Sequence, residues 1–231
     1  MPLNPVFNDF ELEEVTASFE AWLGASFDHP VLEREWYWGD DFDELWEGLG
    51  LTEQSTVAYL TKLFQEPGAL SKYSLDQVAQ GIWFLLGEAS PSQAGHALVQ
   101  RNVPLAERLM CLRSMPVFFR EFVAPAAPGP LDTEDDSFHG ACYMWWDILP
   151  VRWGGNAPEP EFQAACLEVM RDCLAIPSEL CQISALHGLN HWHADYPGEV
   201  KQLVDAFIAD NRRLSPRILT YAGLAREGLS Q

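Results

Sequence analysis

Residues 160–174 read Pro-Glu-Phe-Gln-Ala-Ala-Cys-Leu-Glu-Val-Met-Arg-Asp-Cys-Leu, and their spacing decides the fold class. Phe162, Ala165, Cys166, Val169, Met170, Cys173 and Leu174 recur at offsets of 3, 4, 7, 8, 11 and 12, the stripe of an amphipathic helix. Val200, Leu203, Val204, Phe207 and Ile208 repeat the pattern, as do Leu12, Val15, Phe19, Trp22 and Leu23. Sustained period-two alternation bounded by Asn-Gly or Asp-Gly is missing, so strands are not expected.

Punctuation agrees with the stripes. Pro160, Pro177, Pro197 and Pro216 each stand at or near the start of an apolar-periodic segment, at intervals of 17, 20 and 19 residues. A helix of about 12–15 residues plus a short turn fills such an interval. Asn8 with Glu11 and Ser74 with Gln77 read as capping boxes. Ser90-Pro91 and Ser215-Pro216 set a capping serine before a proline at the first helical position. Two antiparallel pairs then repeat with a period of 37 or 39 residues.

A pair period just under 40 residues resembles HEAT and armadillo-type α-solenoid proteins, most clearly over residues 160–228. Within that span, Glu179 to His191, with Ile183, Ala185, Leu186, Gly188 and Leu189, is similar to the inner helix of a HEAT unit. Tyr221-Ala222-Gly223-Leu224-Ala225 repeats its small residues. A fainter echo links Gly81-Ile82-Trp83, Tyr143-Met144-Trp145 and Gly188-Leu189-Asn190, each expected mid-helix. The resemblance implies an all-α fold of antiparallel helix pairs stacked as a short HEAT-like α-solenoid. The chain reads as one all-α domain, 1–231, with an acidic, less regular portion at 1–70 that matches the family only as generic helices and a proline-rich acidic linker at 124–136. The chain is also similar to small bacterial HEAT-like proteins of unassigned role, which implies a fold and no activity.

Charge restricts the partners. Fourteen Lys and Arg face 34 Asp and Glu, a formal net charge of −20 that opposes binding to nucleic-acid backbones. Residues 1–50 hold 13 acidic side chains and one basic one, Arg34, so the excess belongs to one end. Arg212, Arg213, Arg217 and Arg226 are too few for a cationic face and are expected to pair with helix ends and acidic neighbours. No apolar run approaches the length of a membrane span, and the N-terminus lacks a signal-peptide pattern. Cys111, Cys142, Cys166, Cys173 and Cys181 are an odd count without C-x-x-C spacing, as in buried, reduced thiols. The expectation is a soluble cytoplasmic protein.

Signatures of catalysis and of cofactor binding are missing: there is no G-x-S-x-G, P-loop or G-x-G-x-x-G. The leading expectation is a non-enzymatic binding or scaffold protein whose acidic end steers a basic partner protein, for example an immunity-type protein masking a basic toxin. Its candidate contact residues are Trp36, Trp38, Asp40, Asp41, Asp43 and Glu44. Asp40 to Glu47 also reads as an acidic helix start, and it lacks the glycine of a calcium loop. Trp36-Tyr37-Trp38 and Trp145-Trp146 are not expected to face inward together, because helical neighbours point about 100° apart. Some of these rings would then line a groove, which in a further reading closes a homodimer.

The alternative is a metal-binding protein or metal-dependent enzyme. His187 and His191 stand four apart, so their imidazoles share a helix face and can grip one ion. Gly188 stands where a zincin carries glutamate, and the turn before Pro197 offers His193 or Asp195 as a third ligand.

Overall fold

The computed structural model describes residues 17–32, 34–39, 46–87, 90, 92, 94–128, 136–151, 159–210 and 214–229. Its α-helices are α1 (Phe19–Phe27), α2 (Glu53–Gln65), α3 (Leu75–Leu86), α4 (Ala94–Ala97), α5 (Leu105–Phe118) and α6 (Ser137–Tyr143). They continue with α7 (Trp145–Ile148), α8 (Pro160–Leu174), α9 (Glu179–Trp192), α10 (Pro197–Asp210) and α11 (Pro216–Arg226). No strand occurs among the described residues, in line with the all-α expectation, and no helix there is long and apolar enough to cross a membrane.

Helix starts follow local chemistry. Ser74 and Gln77 form a reciprocal capping box, in which the Gln77 N–H donates to Ser74 Oγ at 3.2 Å and the Ser74 N–H to Gln77 Oε1 at 3.0 Å. Thr52 and Ser55 do the same for α2, and Ser215 accepts from the Ile218 N–H before Pro216. Pro160, Pro197 and Pro216 each open their helix, where a missing N–H costs nothing. Asp136 caps α6 by accepting from the His139 N–H at 2.9 Å.

Several local expectations are corrected. Ser18 accepts from the Ala21 N–H and starts α1 at Phe19, so the stripe from Leu12 to Leu23 is not one helix; Leu12 and Val15 lie outside the described residues, as do Asn8 and Glu11. Ser90 caps no helix at its own position. Its hydroxyl donates to the Phe84 carbonyl at the end of α3, and α4 begins only at Ala94. Of the linker expected at 124–136, residues 129–135 lie outside the described residues, while Ala124–Ala126 continue the helical path and Ala127 is buried. They follow a π-helical turn, Phe119–Val123, just downstream of Pro116, which cannot donate its own helical hydrogen bond. Tyr143-Met144-Trp145 is not mid-helix either. The chain breaks at Met144 (φ −81°, ψ 4°), so α6 and the single turn of α7 meet at a corner.

In the packing, α2 lies on α5 and α5 on α8, while α1 lies on α3, α3 on α6, α6 on α9 and α9 on α11. Contacts of α8 with α9 join the two rows, and α10 packs on α11. One continuous apolar core results. The corner at Met144 places Trp145 and Trp146 inside it together, contrary to expectation, because a one-turn helix can be enclosed on both sides. Trp145 meets Phe64, Phe118 and Phe119 at ring-centroid distances of 5.1–5.7 Å, whereas Trp146 packs against α9. The pair Arg108–Glu159 fastens the start of α8 to α5: the buried guanidinium donates to both carboxylate oxygens, at 2.7 and 3.1 Å, and to the Val103 carbonyl.

Candidate metal centre

Helix α9 is buried nearly all round. Leu180, Ile183, Leu186 and Leu189 fill the core, each contributing about 1.5–3 kcal/mol of burial, while its other faces carry small or polar residues. Ser184, His187, Gly188 and His191 follow the i, i+3, i+4, i+7 spacing of one stripe, which faces the α6–α7 corner. Ser184 Oγ donates to the Cys142 carbonyl at 2.6 Å. Gly188 lies so close to Trp146 that a Cβ there would stand 2.5 Å from the indole Cγ. This approach explains the glycine after His187: a zincin glutamate has no room at this position.

The same approach carries both histidines to Asp147, the third residue of α7. His187 Nε2 lies 2.8 Å from Asp147 Oδ2, and His191 Nε2 lies 3.3 Å from Asp147 Oδ1. One donor atom from each of the three residues falls within 4.8 Å of the others. Metal bonds of about 2.0–2.2 Å would set neighbouring donors about 2.9 Å apart at right angles and about 3.4 Å apart in a tetrahedron. The two observed separations are of that size. His187 is 4% exposed at its side chain, Asp147 22% and His191 35%, so the cluster is buried at one end and reaches solvent at the other.

The remaining nitrogen of His187 is also engaged. Nδ1 lies 2.7 Å from Tyr221 Oη of α11, and that oxygen lies 2.8 Å from Tyr143 Oη at the end of α6. The Tyr143 ring covers the imidazole at a centroid distance of 4.0 Å, and the His191 ring stands at 4.7 Å on edge. Metal-ligating histidines are commonly held in this manner by a polar group on the second nitrogen.

His187 and His191 are thus brought together as the spacing predicts, but the third donor is not His193 or Asp195. Helix α9 ends at Trp192, and His193 packs beneath the turn at Gly228 (φ +67°), where a Cβ would lie 2.6 Å from His193 Nδ1. Asp147, Tyr143 and Tyr221 are not among the site residues that the sequence predicts. Asp147 had one signal, being a lone carboxylate in the apolar run Trp145-Trp146-Asp147-Ile148-Leu149. Tyr221 stands before Ala222, Gly223 and Ala225 with no such signal.

The other candidate surface separates into two parts. Trp36 stacks on His29 at 3.5 Å and packs against Phe84, and Tyr37 is buried. Trp38 stands exposed with Val31 and Leu32, its carbonyl accepting from Arg34 at 2.8 Å. Asp40, Asp41, Asp43 and Glu44 lie outside the described residues, as do Arg212 and Arg213. Arg226 pairs with Asp205 at 2.6 Å and with Glu227. All five cysteines are free and buried, and burial pushes the Cys111 thiol up to about 12 and that of Cys181 to about 11.

No protein-family model, curated protein or solved structure matches the chain.

Proposed function

We propose that this chain is a helical metal-binding protein that holds one divalent first-row transition metal through His187, His191 and Asp147. The observation that carries the reading is the convergence of two imidazoles from α9 on both oxygens of one carboxylate from α7. Two nitrogen donors and one oxygen favour Zn²⁺, Fe²⁺, Co²⁺ or Ni²⁺ over Mg²⁺ and Ca²⁺, which prefer all-oxygen shells. Three donors also leave room for water or an exogenous ligand, as in metal centres that perform chemistry. Calorimetric titration of chelator-treated protein with Zn²⁺ and Co²⁺ tests this. Saturable one-to-one binding that His187→Ala and Asp147→Asn abolish is expected; absence of binding at micromolar metal refutes it.

A second reading is favoured by the exposed apolar side chains of Val31, Leu32 and Trp38 in the acidic N-terminal part. Here the helices form a short HEAT-like α-solenoid in the cytoplasm, and Trp38 helps to dock a basic partner protein, with Asp40, Asp41, Asp43 and Glu44 steering its approach. Affinity for such a partner would fall steeply with salt and with Trp38→Ala; a salt-insensitive complex would remove the steering role.

A further inference from the structure

We propose that Tyr221 is the positioning residue of the metal centre, and that the Tyr143–Tyr221 pair lets the centre fill and empty without stranding a buried donor. The inference rests on the metal reading of His187, His191 and Asp147 and goes beyond it, from the ligands to the residue that sets their affinity.

Hydrogen-bond direction decides what His187 needs at its second nitrogen. An imidazole as buried as that of His187 needs a partner at each nitrogen. With no metal, the Asp147 carboxylate can only accept, so an imidazole with one ring proton carries it on Nε2, 2.8 Å from Oδ2. Nδ1 is then bare and accepts from Tyr221, whose own oxygen accepts from Tyr143. Donation runs Tyr143 to Tyr221 to His187 to Asp147. A metal on Nε2 takes that lone pair, and the ring proton must sit on Nδ1. Nδ1 now donates to Tyr221 Oη at the same position, and Tyr221 turns its hydroxyl hydrogen toward Tyr143. Donation between the three side chains reverses while their heavy atoms stay where they are.

A hydroxyl serves both states through a single atom, because it donates one hydrogen and accepts through its lone pairs. A carboxylate in place of Tyr221 would favour only the metal-bound arrangement, and a lysine only the empty one. Tyr221 also comes from α11, the last helix, and reaches the centre because α11 packs along α9. The α6, α7, α9 and α11 segments therefore all contribute to one polar cluster.

The test is a zinc titration of wild type, Tyr221→Phe, Tyr143→Phe and His187→Ala, alongside ¹⁵N NMR of histidine-labelled protein. Tyr221→Phe leaves Nδ1 an unpaired acceptor in the empty state and an unpaired, metal-polarised N–H donor in the filled one, the costlier of the two, and is expected to lower Zn²⁺ affinity about 10–100-fold. Tyr143→Phe keeps the His187–Tyr221 contact and should lower it by less than about tenfold. In wild type, Zn²⁺ should move the His187 proton from Nε2 to Nδ1, a shift that a merely structural tyrosine would not require. Wild-type affinity in Tyr221→Phe, or zinc bound with His187 still protonated on Nε2, overturns the proposal while leaving the metal site standing. Failure of wild type to bind, or wild-type binding by His187→Ala, removes both. Should Tyr221→Phe fail to fold, the Tyr143→Phe affinity and the wild-type NMR shift decide.

Discussion

Replacing Gly188 by alanine adds a methyl group where α9 meets α7. The new Cβ would lie 2.5 Å from Trp146 Cγ, 2.6 Å from Cδ1 and 2.8 Å from Cβ. Carbon atoms rest at about 3.5–4.0 Å, so the helices must separate by roughly 1 Å. Trp146 cannot swing aside, since the nearest atoms are the root of its side chain and it is 2% exposed. Overpacking of this kind costs about 1–3 kcal/mol, and contact with an anchored ring root places it at the upper end. Alanine regains about 1 kcal/mol of helix propensity. The net expectation is a loss of about 1–2 kcal/mol, or roughly 2–8 °C in Tm for a chain of this size. Zinc affinity should fall as well, because separating α9 from α7 parts the histidines from Asp147 by more than a preorganised site tolerates, about 0.5 Å. Gly223→Ala is the internal control. Nothing lies within 4 Å of a Cβ at Gly223, so the same propensity gain should appear there without a clash. Thermal melts of both variants, with zinc titration of each, decide the matter. A Gly188→Ala protein as stable as Gly223→Ala, with unchanged zinc binding, would refute the close approach as the basis of the site.

Glu159→Gln breaks the pair with buried Arg108 and should cost about 2–4 kcal/mol by urea denaturation at pH 7, near the lower end for buried pairs because the carboxylate is partly exposed. The Arg108 guanidinium bonded to Glu159 holds its carboxyl down at about 2, so this stabilisation is complete above the ordinary carboxylate pKa near 4.5 and fades as pH falls toward 2. The variant should lack that acid-labile part; equal acid sensitivity in both proteins would contradict the assignment. All five thiols should resist a thiol reagent at pH 8 in native protein and react together in denaturant, since burial raises each thiol pKa and shields it. Zinc at a hundredfold excess over Kd should add about 2.7 kcal/mol to an already folded protein, and circular dichroism showing the metal-free chain unfolded would count against a preformed site.

What could be read in advance follows from what faces water. Helices α8 and α10 have one wet face, so their apolar stripes stand out and their prolines mark the first residue. Helix α9 is enclosed on most sides, and its sequence carries little periodicity to read. The histidine pair was legible because i and i+4 is a local relation. Asp147 was not, being 40 residues from His187 and brought there by a break at Met144 that no proline or glycine announces. The two buried tryptophans do point apart within α7, but that single turn is enclosed on both sides, so Trp145 meets Phe64, Phe118 and Phe119 while Trp146 meets α9.

The small residues of α9 have two consequences at once. Ser184 and Gly188 let the helix approach the α6–α7 corner, and that approach is also what sets the imidazoles against Asp147. A larger residue at either position would weaken packing and part the donors by the same displacement. Stability and metal affinity should therefore change together for substitutions at this contact. They should change separately at Tyr221, which touches the cluster from α11 and lies outside the α7–α9 contact.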